Sequence, residues 1–263
     1  MKIATYNVNS INARLDNLSE WLNLENPDVV LLQEIKCEFN DFPFFALQAL
    51  GYEVKILGQK AYNGVAILSR HKMKVASENL PDFKDEQSRY LEVDCVINNE
   101  EYRIASVYLP NGNPPYNNAN DDSKYIYKLN WMSALYKRAE ELLKLQKPVV
   151  LGGDFNVILK DDDVYDPDKY QNDALFRPEV RQRLKALQYL GYYDAFRCLH
   201  QTKSGYTFWD YSGGAIYQDL GMRIDYLWLS AKAVDKLKSC EVDKRPRLSP
   251  KPSDHTVLMA EFE

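Results

Sequence analysis

Short apolar, β-branched runs recur along the chain. They are KIATYNV (2–8), DVVLLQE (28–34), GVAILS (64–69), RYLEVDCVI (89–97), YRIASVYLP (102–110), PVVLGGDFN (148–156), RIDYLWLS (223–230) and HTVLMAEF (255–262). Most are bounded by Gly, Pro, Asn or Asp, so each predicts a strand. GVAILS and PVVLGG are apolar throughout, as strands covered on both faces are. Between the runs the period changes. Ile11, Leu15, Leu18 and Leu22 predict one helix, and Ile126, Leu129, Met132, Tyr136, Ala139 and Leu143 predict a longer one. Val180, Leu184, Leu187 and Leu190 predict a third, with Pro178 near its start and Gly191 just past its end. Many strands with a few inserted helices predict a layered α/β sandwich, with central sheets and helices outside. No repeat, linker or low-complexity tract interrupts the pattern, so residues 1–263 read as a single domain. The longest breaker-rich stretch, PNGNPPYNNANDDS (110–123), fits a surface excursion and a functional loop equally well.

Composition narrows this little. With 45% apolar and 27% charged residues, the 263-residue chain can bury a large core without disulfides. A net charge of -5 and a pI near 5.4 speak against a chain-wide polyanion-binding surface but leave room for a local basic face. RHKMK (70–74) and KRPR (244–247) are basic clusters that fit solvated surface or phosphate contacts. Cys37, Cys95, Cys198 and Cys240 form no C-x-x-C pair, which fits buried thiols in a reducing cytoplasm. The N-terminus has no secretory h-region, and no apolar run approaches the ~18 residues that span a membrane.

The strand ends carry the chemistry. KIATYNVN ends in Asn7 and Asn9, VVLLQE in Glu34, SVYLPN in Tyr108 and Asn111, and VVLGGDFN in Asp154 and Asn156. RIDY sets Asp225 inside a strand, and Asp254–His255 opens the last one. A single Asn or Asp at a strand end is ordinary turn chemistry. A glutamate closing an apolar strand is not, because burying it without a partner is costly. Glu34 is a hard oxygen donor suited to Mg²⁺. His255 can donate to a phosphoryl oxygen while Asp225 holds its other ring nitrogen and favours the imidazolium. Asp154 can orient or deprotonate a water fixed by Asn156, and Tyr108 can stabilise developing charge. Together these suit hydrolysis of a phosphate ester.

YNVNSINAR, LLQEIK, YNGVAILS, VYLPNG, GGDFN, YTFWDY, RIDYLWLS and PSDH stand in the order found in exonuclease III, and the chain resembles that family of abasic-site endonucleases from residue 2 to residue 262. The resemblance implies a four-layer α/β sandwich of two packed, mixed β-sheets flanked by helices. It implies Mg²⁺ or Mn²⁺ held chiefly by Glu34, with Asn9, Asp154, Asn156, Asp254 and His255 at or near the metal. It implies Asp154 serving the nucleophilic water, Asn7 and Asn156 orienting it and the phosphate, and Asp225–His255 binding the scissile phosphate. Tyr108 and Asn111 would then support the transition state. Phe196, Trp209 and Ile224 match the apolar pocket for a flipped-out baseless sugar, and Tyr62 with Asn63-Gly64 matches a DNA-facing loop.

The expected partner is double-stranded DNA with abasic sites or blocked 3′ ends, bound by a monomer. The acidic stretches NGNPPYNNANDD and KDDDVYDPDKY (160–170) depart from the family pattern and imply modest, salt-dependent DNA affinity. They leave open the balance among abasic-site cleavage, 3′-end cleaning and 3′→5′ exonuclease activity. Two other readings fit the same residues: a phosphoesterase acting on another phosphodiester or a phosphorylated small molecule, and a non-catalytic DNA-binding or scaffold protein.

Overall fold

The structure, a computed structural model, describes residues 1–115 and 121–263, so part of the loop 110–123 lies outside the described residues. In chain order the strands are β1 (Lys2–Asn7), β2 (Val29–Gln33), β3 (Glu53–Leu57), β4 (Val65–Ser69), β5 (Met73–Ser77), β6 (Tyr90–Ile97), β7 (Glu100–Tyr108), β8 (Val149–Asp154), β9 (Tyr193–Asp194), β10 (Asp225–Leu229), β11 (Leu237–Asp243) and β12 (Val257–Phe262). They form two six-stranded sheets, ordered β11-β12-β1-β2-β4-β3 and β5-β6-β7-β8-β10-β9. Each sheet is mixed. β1 runs parallel to β2, and β7 runs parallel to β8, while the remaining pairs are antiparallel.

Side chains alternate across a strand, and the alternation builds four layers. Ile3, Val29, Leu31, Ile67, Ile104, Val150, Leu227 and Leu229 face the space between the sheets and form one core. Ala4, Tyr6, Val30, Leu32 and Leu68 face the other way and pack with Leu18, Trp21 and Leu22 of the helix Leu15–Glu25. On the second sheet, Ala105, Val107, Leu151, Tyr226 and Trp228 pack against the helices Ser123–Leu143 and Pro178–Leu190. The order is therefore helix, sheet, sheet, helix.

All eight predicted strands are present and occupy the interior of the two sheets. Each differs from its expected limits by one or two residues, and at three of them the shift bears on the polar strand ends. β2 stops at Gln33, because Glu34 turns into left-handed backbone at φ 51°. β10 begins at Asp225 and β12 at Val257, so Asp225 opens its strand and His255 precedes its own. The long helix is present, but its buried face is Tyr125, Lys128, Trp131, Met132, Leu135, Ala139 and Leu142. Ile126 and Tyr136, expected on that face, are exposed. The true stripe is turned by one position because Trp131 and Leu135 have more surface to bury, and a lysine is among the buried residues.

Candidate active site

The same period-two pattern that builds the inter-sheet core delivers the polar residues. On β1 the inward row reads Ile3, Thr5, Asn7; on β7 Ile104, Ser106, Tyr108; on β8 Val150, Gly152, Asp154; and on antiparallel β10 Leu229, Leu227, Asp225. Each row starts apolar in the core between the sheets and ends in a polar group at one edge of it. Below that edge, Thr5 Oγ1 donates to Gln33 Oε1 (3.2 Å), Gln33 Nε2 to Ser106 Oγ (3.0 Å) and Ser106 Oγ to the Leu32 carbonyl (3.0 Å). This buried chain ties the two sheets together under the site. Backbone proximity matters as much. A Cβ on Gly153 would lie 1.8 Å from the Val107 carbonyl oxygen, and one on Gly152 2.5 Å from Leu31 Cδ1. Only glycines let β8 bring Asp154 against its neighbours.

Asp154 and Asp225 are register partners across β8 and β10, and Tyr108 pairs with Asp154 across β7 and β8. Asp154 is 1% exposed. It accepts from the backbone N–H of Asn156 (2.9 Å), from Asn7 Nδ2 (3.0 Å) and from Asn156 Nδ2 (3.3 Å). Asn7 Nδ2 also donates to Glu34 Oε1 (2.8 Å), so one amide spans both acids. Asn156 Nδ2 donates to the Leu109 carbonyl (2.9 Å), and Asn111 Nδ2 to Asn156 Oδ1 (3.2 Å). Burial pushes the Asp154 carboxyl up to about 7; the cation at His255 opposes this, and the carboxylates of Asp225 and Glu34 reinforce it.

His255 Nδ1 lies 2.8 Å from Asp225 Oδ2, and its Nε2 lies 3.7 Å from Asp154 Oδ2. Burial alone would lower the imidazole, but Asp225 and Asp154 outweigh it and raise it to about 10. Thr207 Oγ1 donates to the same Asp225 oxygen at 2.6 Å, and the N–H groups of Ile224 and Asp225 donate to Thr207 Oγ1. His255 owes its position to backbone pairing with residue 208: bridges join His255 to Phe208 and Phe208 to Met222, and the Phe208 ring meets the imidazole edge-on at 5.0 Å.

Glu34 sits beside this pair. Burial would raise its carboxyl, but hydrogen bonds from Asn7 and Lys36 and the Lys36 charge hold it below the usual carboxylate range. Lys36 Nζ is 2.8 Å from Glu34 Oε2 and donates to Asn9 Oδ1 at 2.6 Å. Asn9 Nδ2 in turn donates to Asp254 Oδ1 (3.0 Å). Glu34, Asp154 and His255 offer ligand atoms within 4.8 Å of one another, so the described residues contain an acidic cluster able to hold a metal ion. The oxygen-rich donor set fits a hard cation. His255 turns Nε2 toward this cluster while Nδ1 is held by Asp225, an arrangement that suits a metal ligand or a proton donor. Burial and the adjacent Glu34 and Asp154 carboxylates keep the Tyr108 phenol protonated far above neutrality, and the Arg89 guanidinium stacks 4.6 Å from its ring centroid.

Glu34, Tyr108, Asn111, Asp154, Asn156, Asp254 and His255 line one open cavity of about 520 Å³, with Asp225 buried behind His255. Asn7 and Asn9 join it through their hydrogen bonds. The apolar wall differs from expectation. Ile224 lines the cavity, but Phe196 and Trp209 do not; both are fully buried. Phe196 packs under Gly205 and against His200, and Trp209 donates its indole N–H to Asp219 (3.2 Å) beneath Lys244. The wall is made instead by Phe208 and Met222 beside Ile224. The extended backbone at 207–209 sends successive side chains to opposite sides, so the adjacent aromatic is the one that faces the cavity. Tyr62 is 71% exposed and stands outside the cavity lining.

Sequence reasoning missed Thr207, Lys36, Lys128, Phe208 and Met222. Lys128 is fully buried behind the cavity, where its ammonium donates to the carbonyls of Asn111 (2.9 Å), Asn156 (2.6 Å) and Ala174 (3.0 Å). Burial pushes it down to about 7. Lysine on the same face as Met132 and Ala139 was the available signal.

Residues 4–255 match the Endonuclease/Exonuclease/phosphatase family. The chain belongs to this family. Its whole length aligns with the whole length of exodeoxyribonuclease III from Haemophilus influenzae, at 29% identity over 271 residues. The fold matches an AP endonuclease from Archaeoglobus fulgidus with TM-score 0.90 and 35% identity, covering 100% of this chain and 99% of that one. It also matches a 3′ phosphatase from Neisseria, solved with a product DNA hairpin, with TM-score 0.89, 35% identity and the same coverage of both chains. Family membership fixes the fold and the hydrolytic class, and the exact substrate rests on the cavity.

Proposed function

We propose that this chain is a Mg²⁺-dependent DNA-repair phosphodiesterase that incises duplex DNA 5′ to abasic sites and clears blocked 3′ ends, with 3′→5′ exonuclease activity. The observation that carries the reading is the convergence of Glu34, Asp154 and the Asp225–His255 pair on one cavity. The similarity to an exodeoxyribonuclease III, an AP endonuclease and a DNA-bound 3′ phosphatase supports DNA as the substrate.

Glu34 and Asp154 would hold the cation, with Asn9 and Asp254 close by; Mn²⁺ fits the same oxygens. When bound, the cation supplies positive charge against the phosphoryl oxygens and favours the ionised form of Asp154. The residues of the chain do the rest. Asp154, aligned by Asn7 and both nitrogens of Asn156, accepts the proton of the attacking water. His255, held protonated by Asp225, donates Nε2–H to a non-bridging phosphoryl oxygen as charge accumulates there. Tyr108, kept neutral, donates its phenol hydrogen bond toward the leaving oxygen. Asn111 braces Asn156 from the cavity mouth. Phe208, Met222 and Ile224 exclude water beside the sugar.

No described helix is long and apolar enough to cross a membrane, and the four cysteines are unpaired. The pairing of β1 with β12 in one sheet supports a single catalytic domain over residues 1–263, and we propose that it acts as a monomer in the cytoplasm. A duplex oligonucleotide carrying one abasic-site analogue tests the proposal. Single-site incision on the 5′ side supports it. No incision beside robust turnover of another phosphodiester or a phosphorylated small molecule would replace it with the broader phosphoesterase reading. No turnover of any substrate, together with unaltered behaviour on Glu34→Ala and Asp154→Ala, would leave a non-catalytic protein.

A further inference from the structure

The cavity is larger than a baseless sugar requires. Its volume of about 520 Å³ lies within the ~300–1,000 Å³ range of sites that enclose a drug-sized ligand, and a whole nucleotide is of that size. A strip of paired backbone runs along its lining. His255 bridges to Phe208, Phe208 to Met222 and Met222 to Val164, and the Tyr165 N–H donates to the Gly221 carbonyl (3.1 Å). Three steps of ~4.8 Å therefore separate the phosphate end at His255 from the far end at Val164–Tyr165. Phosphate, sugar and base in line cover that span, whereas phosphate and sugar alone do not.

The far end is aromatic. Tyr165, Lys169 and Tyr170 line the cavity there. The two rings stand edge to face, 6.0 Å apart at 83°. Lys169 Nζ donates to the Tyr165 hydroxyl (2.7 Å) and lies 5.5 and 5.9 Å from the two ring centroids, so one side chain fixes both rings. The surrounding charge selects the ligand. Asp166 and Asp168 lie between the two tyrosines in sequence, and Asp173 and Asp210 line the same cavity. Such a rim repels a second phosphate but accepts a neutral, flat π-system. Nucleobases stack on aromatic side chains with little regard to sequence.

We infer that Tyr165 and Tyr170, held by Lys169, form a nucleobase subsite that seats the base of the 3′-terminal nucleotide during the proposed exonuclease action. The inference rests on the proposed phosphodiesterase function and names the residues that would set how its exonuclease action grips the terminal base. Three duplexes of one sequence test it: one with an ordinary 3′-terminal nucleotide, one with a 3′-phosphate and one with an internal abasic analogue. The Tyr165→Ala/Tyr170→Ala variant is expected to release the terminal nucleotide ~5- to 150-fold more slowly, the effect of losing one base–aromatic stack. Removal of the 3′-phosphate should fall much less, and Tyr165→Phe/Tyr170→Phe should restore nucleotide release. The single Tyr170→Leu variant provides the same comparison if the double variant does not fold. A 3′-terminal 2-aminopurine should be quenched on binding by the wild type and the Phe variant, and less by the Ala variant. Equal losses on all three duplexes, or no loss on any, would overturn the subsite. Inactivity of the wild type on all three with Mg²⁺ present would instead remove the phosphodiesterase reading, and the subsite with it.

Discussion

Replacing Asp225 with asparagine removes one charge and leaves the shape of the site. In the wild type, Asp225 Oδ2 receives His255 Nδ1 at 2.8 Å and Thr207 Oγ1 at 2.6 Å, while its second oxygen is buried with no partner among the described residues. That carboxylate is the leading reason His255 rises to about 10 despite full burial. The imidazole is therefore held protonated through the neutral range, as the proposed donation to a phosphoryl oxygen requires. With asparagine the ring falls back toward its ordinary value of ~6.5, so at pH 7.5 only about one molecule in ten carries the donor. Misalignment of the ring adds to the loss, as removal of one preorganised donor costs ~10²- to 10³-fold in kcat. The same substitution removes a charge that raises Asp154, so the acidic limb of the profile moves down as well. The assay is kcat against pH on an abasic duplex at saturating Mg²⁺. The wild type should hold its rate between pH 7.5 and 9. The variant should decline about tenfold per pH unit above ~6.5, with an optimum shifted to acid. A variant profile that parallels the wild type at any level would show that Asp225 does not set the charge of His255.

Other substitutions probe separate parts of the account. Glu34→Gln should raise the Mg²⁺ concentration for half-maximal rate by at least ~10-fold, measured by metal titration of incision, because it removes the ionised oxygen that Asn7 and Lys36 orient. Lys128→Met keeps volume but deprives three buried carbonyls of their donor, and should cost ~1–3 kcal/mol or more in thermal or denaturant unfolding. Asp163→Asn should cost ~3–5 kcal/mol, since Asp163 neutralises the fully buried Arg223 as well as Arg197. Burial would raise the Asp163 carboxyl, but the two guanidiniums outweigh it and depress it. Its contribution is therefore complete above the unfolded carboxylate pKa and is lost as pH falls through the folded one. Acid unfolding followed by circular dichroism should show the wild type losing stability below pH ~4 more steeply than Asp163→Asn.

The interior of both sheets was legible because those strands are covered on both faces and announce themselves as apolar runs. The edge strands β3, β5, β9 and β11 were not. β3 carries Glu53 and Lys55, β5 carries Lys74, β11 carries Lys238 and Glu241, and β9 is two residues long. Charge and brevity protect exposed edges from pairing with other chains, and they also erase the strand pattern. The site followed the same logic. Asn7, Asp154 and Asp225 could be read as polar ends of apolar rows, because period two carries the core face straight into the cavity. Thr207, Phe208 and Met222 lie in irregular segments held by isolated bridges, where no period says which neighbour points inward. That is why Trp209 was read into the cavity wall in place of its neighbour Phe208; Phe196, in the short helix Ala195–Leu199, is buried away from the cavity. Lys128 was hidden by the ordinary expectation that lysine marks a solvated helix face, here overruled by three carbonyls that converge behind Asn156.

The central claim is that Asp154, the Asp225–His255 pair and a cation beside Glu34 act on one phosphate. Single-turnover incision of an abasic duplex by the wild type and by Asp154→Asn, each in Mg²⁺ and in EDTA, tests it most directly. The account predicts incision by the wild type in Mg²⁺, abolished by EDTA and restored by added Mg²⁺, with Asp154→Asn slower by at least ~10³-fold. Incision that persists in EDTA, or an Asp154→Asn rate within tenfold of wild type, would contradict it.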